Sequence, residues 1–490
     1  MLLEQLLEKL NYELINGDVR IQVKELVFDS RNVQKDDVFV CIKGAVSDGH
    51  RYIKDVANKG AAAIIVQDDI EITKELKDIT IVKIEDTRKA LAYMSAAFFG
   101  YPANELYTVG ITGTKGKTTT TYMVREILEA SGIKTGLIGT IQTIIGDEII
   151  PSKNTTPESY MVQKYFRQMV DKGINCVVME VSSQALMLHR TAGIDFDLGV
   201  FTNLSPDHIG PNEHSSFENY AECKAILFKQ CKTGIFNCDS EHFEAMKKGH
   251  TCKLSTYGIN NDADIKAENI EYHRKDGVIY TEFDVKGSEL GHIVLKLPGE
   301  FSVYNVLCAI AITEHFNLDK DKVLQALLDA KVPGRVEIVP VSEDFTVMID
   351  YAHNAMSLKS ILSTVKEYEP ERIVTIFGCG GNRSRERRFD MGEISGKMSD
   401  FTIVTSDNPR DEEPMDIMKD IETGINKTGG LYTLIEDRQE AVRYGILNAK
   451  KGDIIIVAGK GHEDYQEIKG VRYHMTDREL IENAAKELKN

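Results

Sequence analysis

The chain has 490 residues, of which 42% are hydrophobic and 28% are charged, a composition typical of a soluble globular protein and not of a disordered or fibrous one. Its formal net charge of −17 argues against a general nucleic-acid-binding protein, because such proteins need a basic face. The 8 cysteines form no CxxC pair, so neither a zinc site nor a disulfide framework is predicted. At this length we expect two to four domains.

The first block of the chain, residues 1–100, mixes short helices and strands. Its opening sequence, MLLEQLLEKLNYEL, has leucines at helical spacing and predicts an amphipathic helix, not a signal peptide. The segments AAAIIV and ITIVKI predict buried strands, and TRKALAYMSAAFFG predicts a helix. No apolar run in the sequence is long enough to cross a bilayer, so a cytoplasmic protein is expected.

Two further blocks follow, residues 101–332 and 333–490. The second block begins with the strand LYTVGIT and contains a predicted hairpin at RKDGV. The third alternates apolar strands with helices, which predicts a parallel, doubly wound sheet. Ligands of such sheets bind at the carboxyl ends of the strands, where this block places its polar loops.

The strongest local motif is GITGTKGKTTTTY, which follows a predicted strand and opens a predicted helix. Gly113 and Gly116 allow the backbone to wrap closely around an anion, and N–H groups at the helix start add donors. Lys117 can reach the outer phosphates of a nucleotide, and the Thr118 hydroxyl can ligate Mg²⁺. The spacing, GxxGKT from Gly113, departs from the strict GxxxxGK[ST] pattern. We expect nucleotide binding here, in preference to a Gly-rich turn with a solvated lysine.

Several charged side chains of the second block are candidates for metal binding. Glu180 ends the apolar strand CVVMEV; a carboxylate there is usually only solvated, but it becomes a metal candidate beside a P-loop. Asp207 and His208 follow another strand, and such a pair is more often hydrogen-bonded than a ligand. Lys224 lies in the predicted helix YAECKAILF, and residue chemistry alone gives it no special role.

Three charged loops of the last block, GCGGNRSRERR, SDNPR and GKGHED, each follow a predicted strand. The first carries a basic patch of Arg383, Arg385, Arg387 and Arg388. Each loop alone fits a helix N-cap with solvated charges, but three at equivalent strand ends favour a shared pocket for a charged ligand. Just after SDNPR, the acids Asp411, Glu412 and Glu413 are predicted to form the first turn of a helix beginning near Pro414.

Taken together, these motifs resemble the Mur ligase family and, within it, the MurE-type ligases. The resemblance runs over nearly the whole chain. The matching motifs, in order, are FDSRNVQKDDVFVCIKG…DGH, GTKGKTTT, NTTPE, MEVSSQAL…HR, TNLSPDH, VPGRVE, DYAHN, GCGGNR, SDNPR and GKGHEDY. The resemblance implies three α/β domains: a UDP-binding domain at 1–100, a central P-loop ATPase with a mostly parallel sheet at 101–332, and a Rossmann-like doubly wound domain at 333–490 that binds the amino acid.

The resemblance also implies residues for each ligand. Those expected to bind ATP are Gly113, Thr114, Lys115, Gly116, Lys117, Thr118, Thr119, Asn305, Arg335, Asp350 and His353. Those expected to hold UDP-MurNAc-L-Ala-D-Glu are Ser30, Arg31, Asn154, Thr155, Thr156, Ser182 and Arg190. Mg²⁺ is expected on Thr118, Glu180, His208 and Lys224, where Lys224 carries a carbamate. The expected catalytic residues are Lys117, Glu180, His208 and Lys224. The acceptor amino acid is expected to contact Arg383, Asp407, Asn408, Arg410, Gly459 and Glu463.

The activity implied is ATP-dependent addition of a diamino acid to UDP-MurNAc-L-Ala-D-Glu through an acyl phosphate, by a monomer without nucleic-acid or membrane partners. In MurE-type relatives the DNPR motif accompanies diaminopimelate, so meso-2,6-diaminopimelate is the expected acceptor. The segments SSQ and DHIGPNEH also resemble relatives that add L-lysine, which keeps lysine as a second candidate acceptor. Two further candidate functions are a folylpolyglutamate synthase-like ligase and a non-ligase P-loop NTPase.

Overall fold

The computed structural model describes residues 1–44, 47–207, 209–210 and 213–488. The chain divides into two units, Met1–Asp264 with Ala311–Asn317, and Ile265–Ile310 with Leu318–Asn490. Across the described ranges, no helix combines the length and the apolar character needed to cross a membrane.

The first unit begins with a five-stranded sheet in the order β1-β5-β4-β3-β2, parallel except for β1. Its elements are α1 (Leu3–Leu6), β1 (Glu13–Asn16), β2 (Leu26–Val27), β3 (Val38–Val40), α2 (Ile53–Asn58), β4 (Ala63–Val66), β5 (Thr80–Lys83) and α3 (Thr87–Phe98). Strands β3 and β4 are fully buried, as expected for parallel strands covered on both faces.

The predicted long N-terminal helix is wrong. Only one turn, α1, is helical, and Glu13–Asn16 instead forms β1. The Asn16 side chain donates to the carbonyls of Leu76, Lys77 and Ile79, and β1 pairs with β5. These long-range hydrogen bonds outweigh local helix propensity, which is a weak determinant of structure.

The rest of the first unit carries the P-loop between its first strand and first helix. Its elements are β6 (Tyr107–Thr112), α4 (Lys117–Ala130), β7 (Thr135–Ile138), β8 (Gln142–Ile145), β9 (Glu148–Pro151), α5 (Ser159–Asp171), β10 (Cys176–Glu180), α6 (Ser183–Met187), β11 (Phe196–Phe201), α7 (Phe217–Ala225), β12 (Cys231–Asn237), α8 (Phe243–Lys247) and β13 (Lys253–Gly258). These strands follow the order β13-β12-β11-β6-β10-β7-β8-β9 and run parallel except for β8, which pairs antiparallel with both β7 and β9. Because β6 lies between β10 and β11, the P-loop, Glu180 and the loop after Phe201 are neighbours at one edge.

The second unit opens with an antiparallel meander and continues with a six-stranded sheet. Its elements are β14 (Ile265–Lys275), β15 (Val278–Lys286), β16 (His292–Leu295), α9 (Glu300–Thr313), α10 (Lys320–Asp329), β17 (Glu337–Val339), β18 (Thr346–Asp350), α11 (Ala355–Lys366), β19 (Arg372–Phe377), α12 (Arg385–Met398), β20 (Phe401–Val404), α13 (Pro414–Asn426), β21 (Tyr432–Leu434), α14 (Arg438–Leu447), β22 (Asp453–Ala458), β23 (Tyr465–Ile468), β24 (Val471–His474) and α15 (Asp477–Leu488). The predicted hairpin at RKDGV is confirmed, since Lys275 pairs with Val278 across the β14–β15 turn.

The six-stranded sheet has the order β17-β18-β22-β19-β20-β21 and is parallel apart from the edge strand β17, as predicted for this block. In its register Asp350 pairs with Ala458, Ala458 with Phe377, and Phe377 with Val404. The four strands therefore end side by side, and the loops DYAHN, GCGG, TSDNPR and GKGHE emerge together.

Candidate active site

The P-loop is fixed by the strand beside it. A Cβ atom at Gly113 would lie 1.9 Å from Thr202 Oγ1, so only glycine fits, and its φ of 148° also favours glycine. The Lys115 N–H donates to Asn203 Oδ1 at 2.9 Å. Lys117 Nζ donates to the carbonyls of Gly113 and Thr114 at 2.8 and 3.1 Å, which holds its positive charge against the loop. Thr119 lies in the first turn of α4.

Glu180 is the best-placed carboxylate for a metal beside this loop. It is 1% exposed, and the Thr118 hydroxyl donates to both of its oxygens at 3.0 Å. The N–H and hydroxyl of Thr140 also donate to it, at 2.8 and 2.9 Å. Carboxylate and hydroxyl oxygens are the ligands that Mg²⁺ prefers, so the donor set fits this ion.

Sequence reasoning missed Thr140. It lies just beyond β7, and it reaches Glu180 only because β7 pairs with β10 in the sheet. No local pattern around Thr140 signals this contact.

Lys224 lies against the same loop. It is 2% exposed, its Nζ donates to the Gly113 carbonyl at 2.8 Å, and it lies 4.6 Å from the Tyr220 ring centroid. Burial, reinforced by the nearby charge of Lys117, lowers the pKa of Lys224 well below its usual range. His208, also expected at this site, lies outside the described residues.

Four of the residues expected to hold the dipeptide gather beside Glu180. The Thr156 hydroxyl donates to the Glu180 carbonyl at 2.8 Å and accepts from the Ser182 N–H at 3.0 Å. Arg190 donates to the Thr156 carbonyl at 3.0 Å, and Thr155 Oγ1 lies 3.1 Å from Thr140 Oγ1. Asn154 is exposed next to them.

Ser30 and Arg31 lie elsewhere in the first unit, on a single 3₁₀ turn capped by Asp29. Arg31 pairs with Asp29 at 2.6 Å, and its side chain is largely exposed. Asp29 lines a cavity of about 310 Å³ whose wall also includes Tyr160 of α5.

In the second unit, three of the expected ATP residues surround Tyr351. The Arg335 guanidinium lies 4.5 Å from its ring centroid and His353 lies 4.6 Å from it. The Asp350 carboxylate accepts from the N–H groups of Val336 and Ala352, both at 2.9 Å, which fixes the loop that carries Arg335. Asn305 lies buried in the part of α9 that belongs to the segment Ile265–Ile310 of this unit.

His462 joins this cluster, 5.1 Å from the Tyr351 ring, and sequence reasoning missed it. Burial and the charge of Arg335 lower the pKa of His462 to about 4, so its imidazole is neutral near pH 7. Its position within GKGHED was the available signal, but its neighbours come from other strands.

The residues expected at the acceptor pocket meet at the ends of β20 and β22. A Cβ atom at Gly459, whose φ is 111°, would lie 2.8 Å from Asp407 Oδ2. Asn408 Nδ2 donates to Glu463 Oε2 at 2.7 Å. Burial raises the pKa of Glu463 above its usual value. Arg410 Nη1 donates to the Gly381 carbonyl of the GCGG loop at 2.7 Å.

Two backbone hydrogen bonds join Arg410 to the β23–β24 hairpin. Its N–H donates to the Glu467 carbonyl at 3.0 Å, and its carbonyl accepts from the Lys469 N–H at 2.7 Å. Its φ is 52°, in the left-handed region. Arg383 is exposed on the neighbouring GCGG loop.

Two interpretations of the charged loops need correction. Arg388 is 2% exposed and pairs with Glu412 and Asp420 at 2.7 and 3.0 Å, so it stabilises the fold and does not face a ligand. Arg385 also pairs with Asp420. The helix α13 begins at Pro414 as predicted, but Asp411, Glu412 and Glu413 precede it and do not form its first turn. Asp411 and Glu412 instead accept hydrogen bonds from Asn382.

Comparison with known proteins agrees along the length of the chain. Residues 22–99 match the family model "Mur ligase family, catalytic domain", residues 111–313 match "Mur ligase middle domain", and residues 334–461 match "Mur ligase, glutamate ligase domain". The UDP-N-acetylmuramoyl-L-alanyl-D-glutamate–2,6-diaminopimelate ligase 1 of Clostridium acetobutylicum is 43% identical over 492 residues, covering 100% of both chains. The chain belongs to the Mur ligase family.

Other members support this assignment. The 2,6-diaminopimelate ligase of Clostridium perfringens is 41% identical over 98% of this chain and 99% of its own. A solved structure of a ligase with the same substrate name matches with a TM-score of 0.73 at 26% identity, covering 100% of this chain and 99% of that one. The expected family and its three-domain α/β fold are thus confirmed, and as a Mur ligase the chain is an ATP-dependent ligase.

Proposed function

We propose that this Mur ligase adds meso-2,6-diaminopimelate to UDP-MurNAc-L-Ala-D-Glu during peptidoglycan precursor synthesis. The observation that carries the proposal is the acceptor pocket, where Asp407 and Arg410 follow β20 and Glu463 follows β22, the two strands that flank β19. An arginine fork suits the distal carboxylate of diaminopimelate, and the acids suit its ammonium. The full-length relatives, which are named as 2,6-diaminopimelate ligases, support the same acceptor class.

The reaction follows from the chemistry of the acid substrate. A carboxylate is a poor electrophile, so the D-Glu carboxylate attacks the γ-phosphorus of ATP, giving an acyl phosphate and ADP. The amine of the acceptor then attacks the acyl carbon, and phosphate leaves as the amide forms. Lys117 and the P-loop N–H groups offset the charge that develops during phosphoryl transfer.

Mg²⁺ is part of this proposal. Thr118 and Glu180 would hold it, together with His208 and the carbamate of Lys224, and when bound it supplies charge neutralisation at the phosphates. Thr140 orients the Glu180 carboxylate through two hydrogen bonds.

The proposed domain bounds are 1–100, 101–332 and 333–490, and each family match falls within one of them. The residues expected for every substrate lie in this one chain, which supports a monomer. Both nucleotide substrates are cytoplasmic, and we place the enzyme there.

The decisive test is ADP release by the purified chain with ATP, Mg²⁺ and UDP-MurNAc-L-Ala-D-Glu. We expect strong stimulation by meso-diaminopimelate and little by LL-diaminopimelate or L-lysine. Preference for lysine would overturn the acceptor, and stimulation by none of the three would overturn the function. A folylpolyglutamate synthase-like enzyme would require a different acid substrate, and a non-ligase NTPase would hydrolyse ATP without amino-acid dependence.

Replacing Arg410 with alanine is expected to raise the KM for diaminopimelate about 10–150-fold, with the KM for ATP nearly unchanged. The lost charge-assisted hydrogen bonds correspond to about 1.5–3 kcal/mol. Arg410→Lys should recover only part of the loss, because lysine lacks the bidentate fork. The exposed Arg443→Ala, on α14, is the matched control. An unchanged diaminopimelate KM in Arg410→Ala would show that this arginine only supports the GCGG loop.

A further inference from the structure

Lys460 is a buried charge beside the acceptor pocket that the proposed mechanism does not use. Its side chain is 0% exposed. Its Nζ donates to Asn408 Oδ1 at 3.2 Å and to Glu463 Oε2 at 3.4 Å, and it lies 5.5 Å from the Tyr465 ring centroid. A fully buried ammonium is costly unless it is paired, so this arrangement points to a specific role.

The first consequence concerns the orientation of the Asn408 amide. Both Lys460 Nζ and the Glu467 N–H donate to Asn408 Oδ1, the latter at 2.9 Å. An ammonium has no acceptor, so the oxygen of the amide must face it, and the NH₂ group is then directed to Glu463 Oε2 at 2.7 Å. Lys460 thereby fixes which end of Asn408 faces the Glu463 carboxylate.

The second consequence concerns charge. Asp407 and Glu463 bring two carboxylates to the pocket, and Lys460 offsets one of them. The charged and titratable groups facing Glu463 are Lys460, Asp407, Arg438, Tyr351 and Tyr465. Arg438 is itself paired with Asp477, and the pKa values of both tyrosines are raised, so they stay neutral near pH 7. When Arg410 is set aside for the carboxylate of the ligand, one carboxylate charge is left in excess.

We propose that Lys460 is a positioning residue that orients Asn408 and Glu463 and leaves the two acids of the pocket with a single uncompensated negative charge, which selects the distal ammonium of the diamino acid. The inference rests on the proposed function and adds a residue to it. The distal end of diaminopimelate is zwitterionic. Its ammonium would pair with the uncompensated carboxylate, and its carboxylate would pair with Arg410. Without Lys460 the pocket would hold two uncompensated acids, and Asn408 Oδ1 would keep only the Glu467 N–H as a donor.

The kinetic test compares Lys460→Met, which keeps the length of the side chain, with Lys460→Arg, which keeps its charge. In Lys460→Met we expect the KM for diaminopimelate to rise about tenfold or more, with the KM values for ATP and UDP-MurNAc-dipeptide changed less than about twofold. Lys460 lowers the pKa of Glu463, so its loss raises that pKa and protonates the carboxylate at higher pH. The acid limb of kcat/KM for diaminopimelate should therefore move up by about one pH unit. Lys460→Arg should return this acid limb to its wild-type pH.

A second measurement does not depend on catalysis. Urea unfolding of wild type, Lys460→Met, Glu463→Gln and the double variant forms a double-mutant cycle. The destabilisation by Lys460→Met should grow as pH rises and Glu463 ionises, and Glu463→Gln should abolish this growth. Independent, additive effects, or equal changes in all three KM values, would overturn the role of Lys460. If wild type responds to no diamino acid, the proposed function fails regardless of how the variants behave.

Discussion

Replacement of Lys224 by alanine is expected to reduce ADP release and amide formation about 10²–10³-fold, comparable to the loss of one preorganised electrostatic group at an active site. Lys224 is buried against the Gly113 carbonyl, and its lowered pKa favours the neutral amine. Only a neutral amine has the lone pair that attacks CO₂, forming a carbamate as a proton is released. We expect this carbamate to supply a further carboxylate for Mg²⁺ at the P-loop.

The test combines activity with intact-protein mass. Wild type should show a mass increase of one CO₂ when kept with bicarbonate, and Lys224→Ala should not. A short carboxylate such as acetate should partly rescue Lys224→Ala by occupying the vacated space. Lys229→Ala, an exposed neighbour of α7, is the control and should keep full activity. Full activity in Lys224→Ala would rule out the carbamate.

Replacement of Arg438 by methionine is expected to lower the free energy of unfolding of the second unit by about 3–5 kcal/mol, because it leaves a buried carboxylate without its partner. Arg438 and Asp477 are each 0% exposed and form two hydrogen bonds, at 2.7 and 2.8 Å. Arg438 also donates to the carbonyls of Ser406 and Ala458, just before Asp407 and Gly459. The variant should therefore also raise the KM for diaminopimelate.

Urea unfolding monitored by hydrogen exchange in the second unit measures the first effect. The double variant Arg438→Met/Asp477→Leu should recover most of the loss, because it removes both buried charges. The same two helices carry a matched exposed pair, Arg443 with Glu487, whose loss in Arg443→Met should cost no more than about 1 kcal/mol. Equal destabilisation at the two positions would show that burial of the Arg438 pair is not the cause.

Much of the fold could be predicted because its strands are apolar and continuous and their ends are polar. The register that places Asp350, Phe377, Val404 and Ala458 side by side follows from parallel pairing of such strands. The same pairing predicts that the loops SDNPR and GKGHED contribute to one pocket.

The missed features depend on partners distant in the chain. Thr140 contacts Glu180 across two neighbouring strands, and Lys460 stands between two glycines with nothing local to show that it is buried. The sequence predicts a basic ligand patch at Arg388, since its actual partners Glu412 and Asp420 lie on a later loop and helix. The N-terminal leucines have a helical period, yet pairing of β1 with β5 ends the helix after one turn.

The backbone of Arg410 behaves as a one-residue strand added to the β23–β24 hairpin. The position of the Arg410 backbone is therefore set by a small hairpin outside the six-stranded sheet, while its guanidinium is held by the Gly381 carbonyl. The outer strand of this hairpin, β24, is exposed along its whole length. Substitutions on β24 should change the stability of the core little. A change in the length or twist of the hairpin would nevertheless shift Arg410 relative to Asp407 and Glu463. We therefore expect acceptor preference to respond to surface mutations on this hairpin even when the residues proposed to line the acceptor pocket are unchanged.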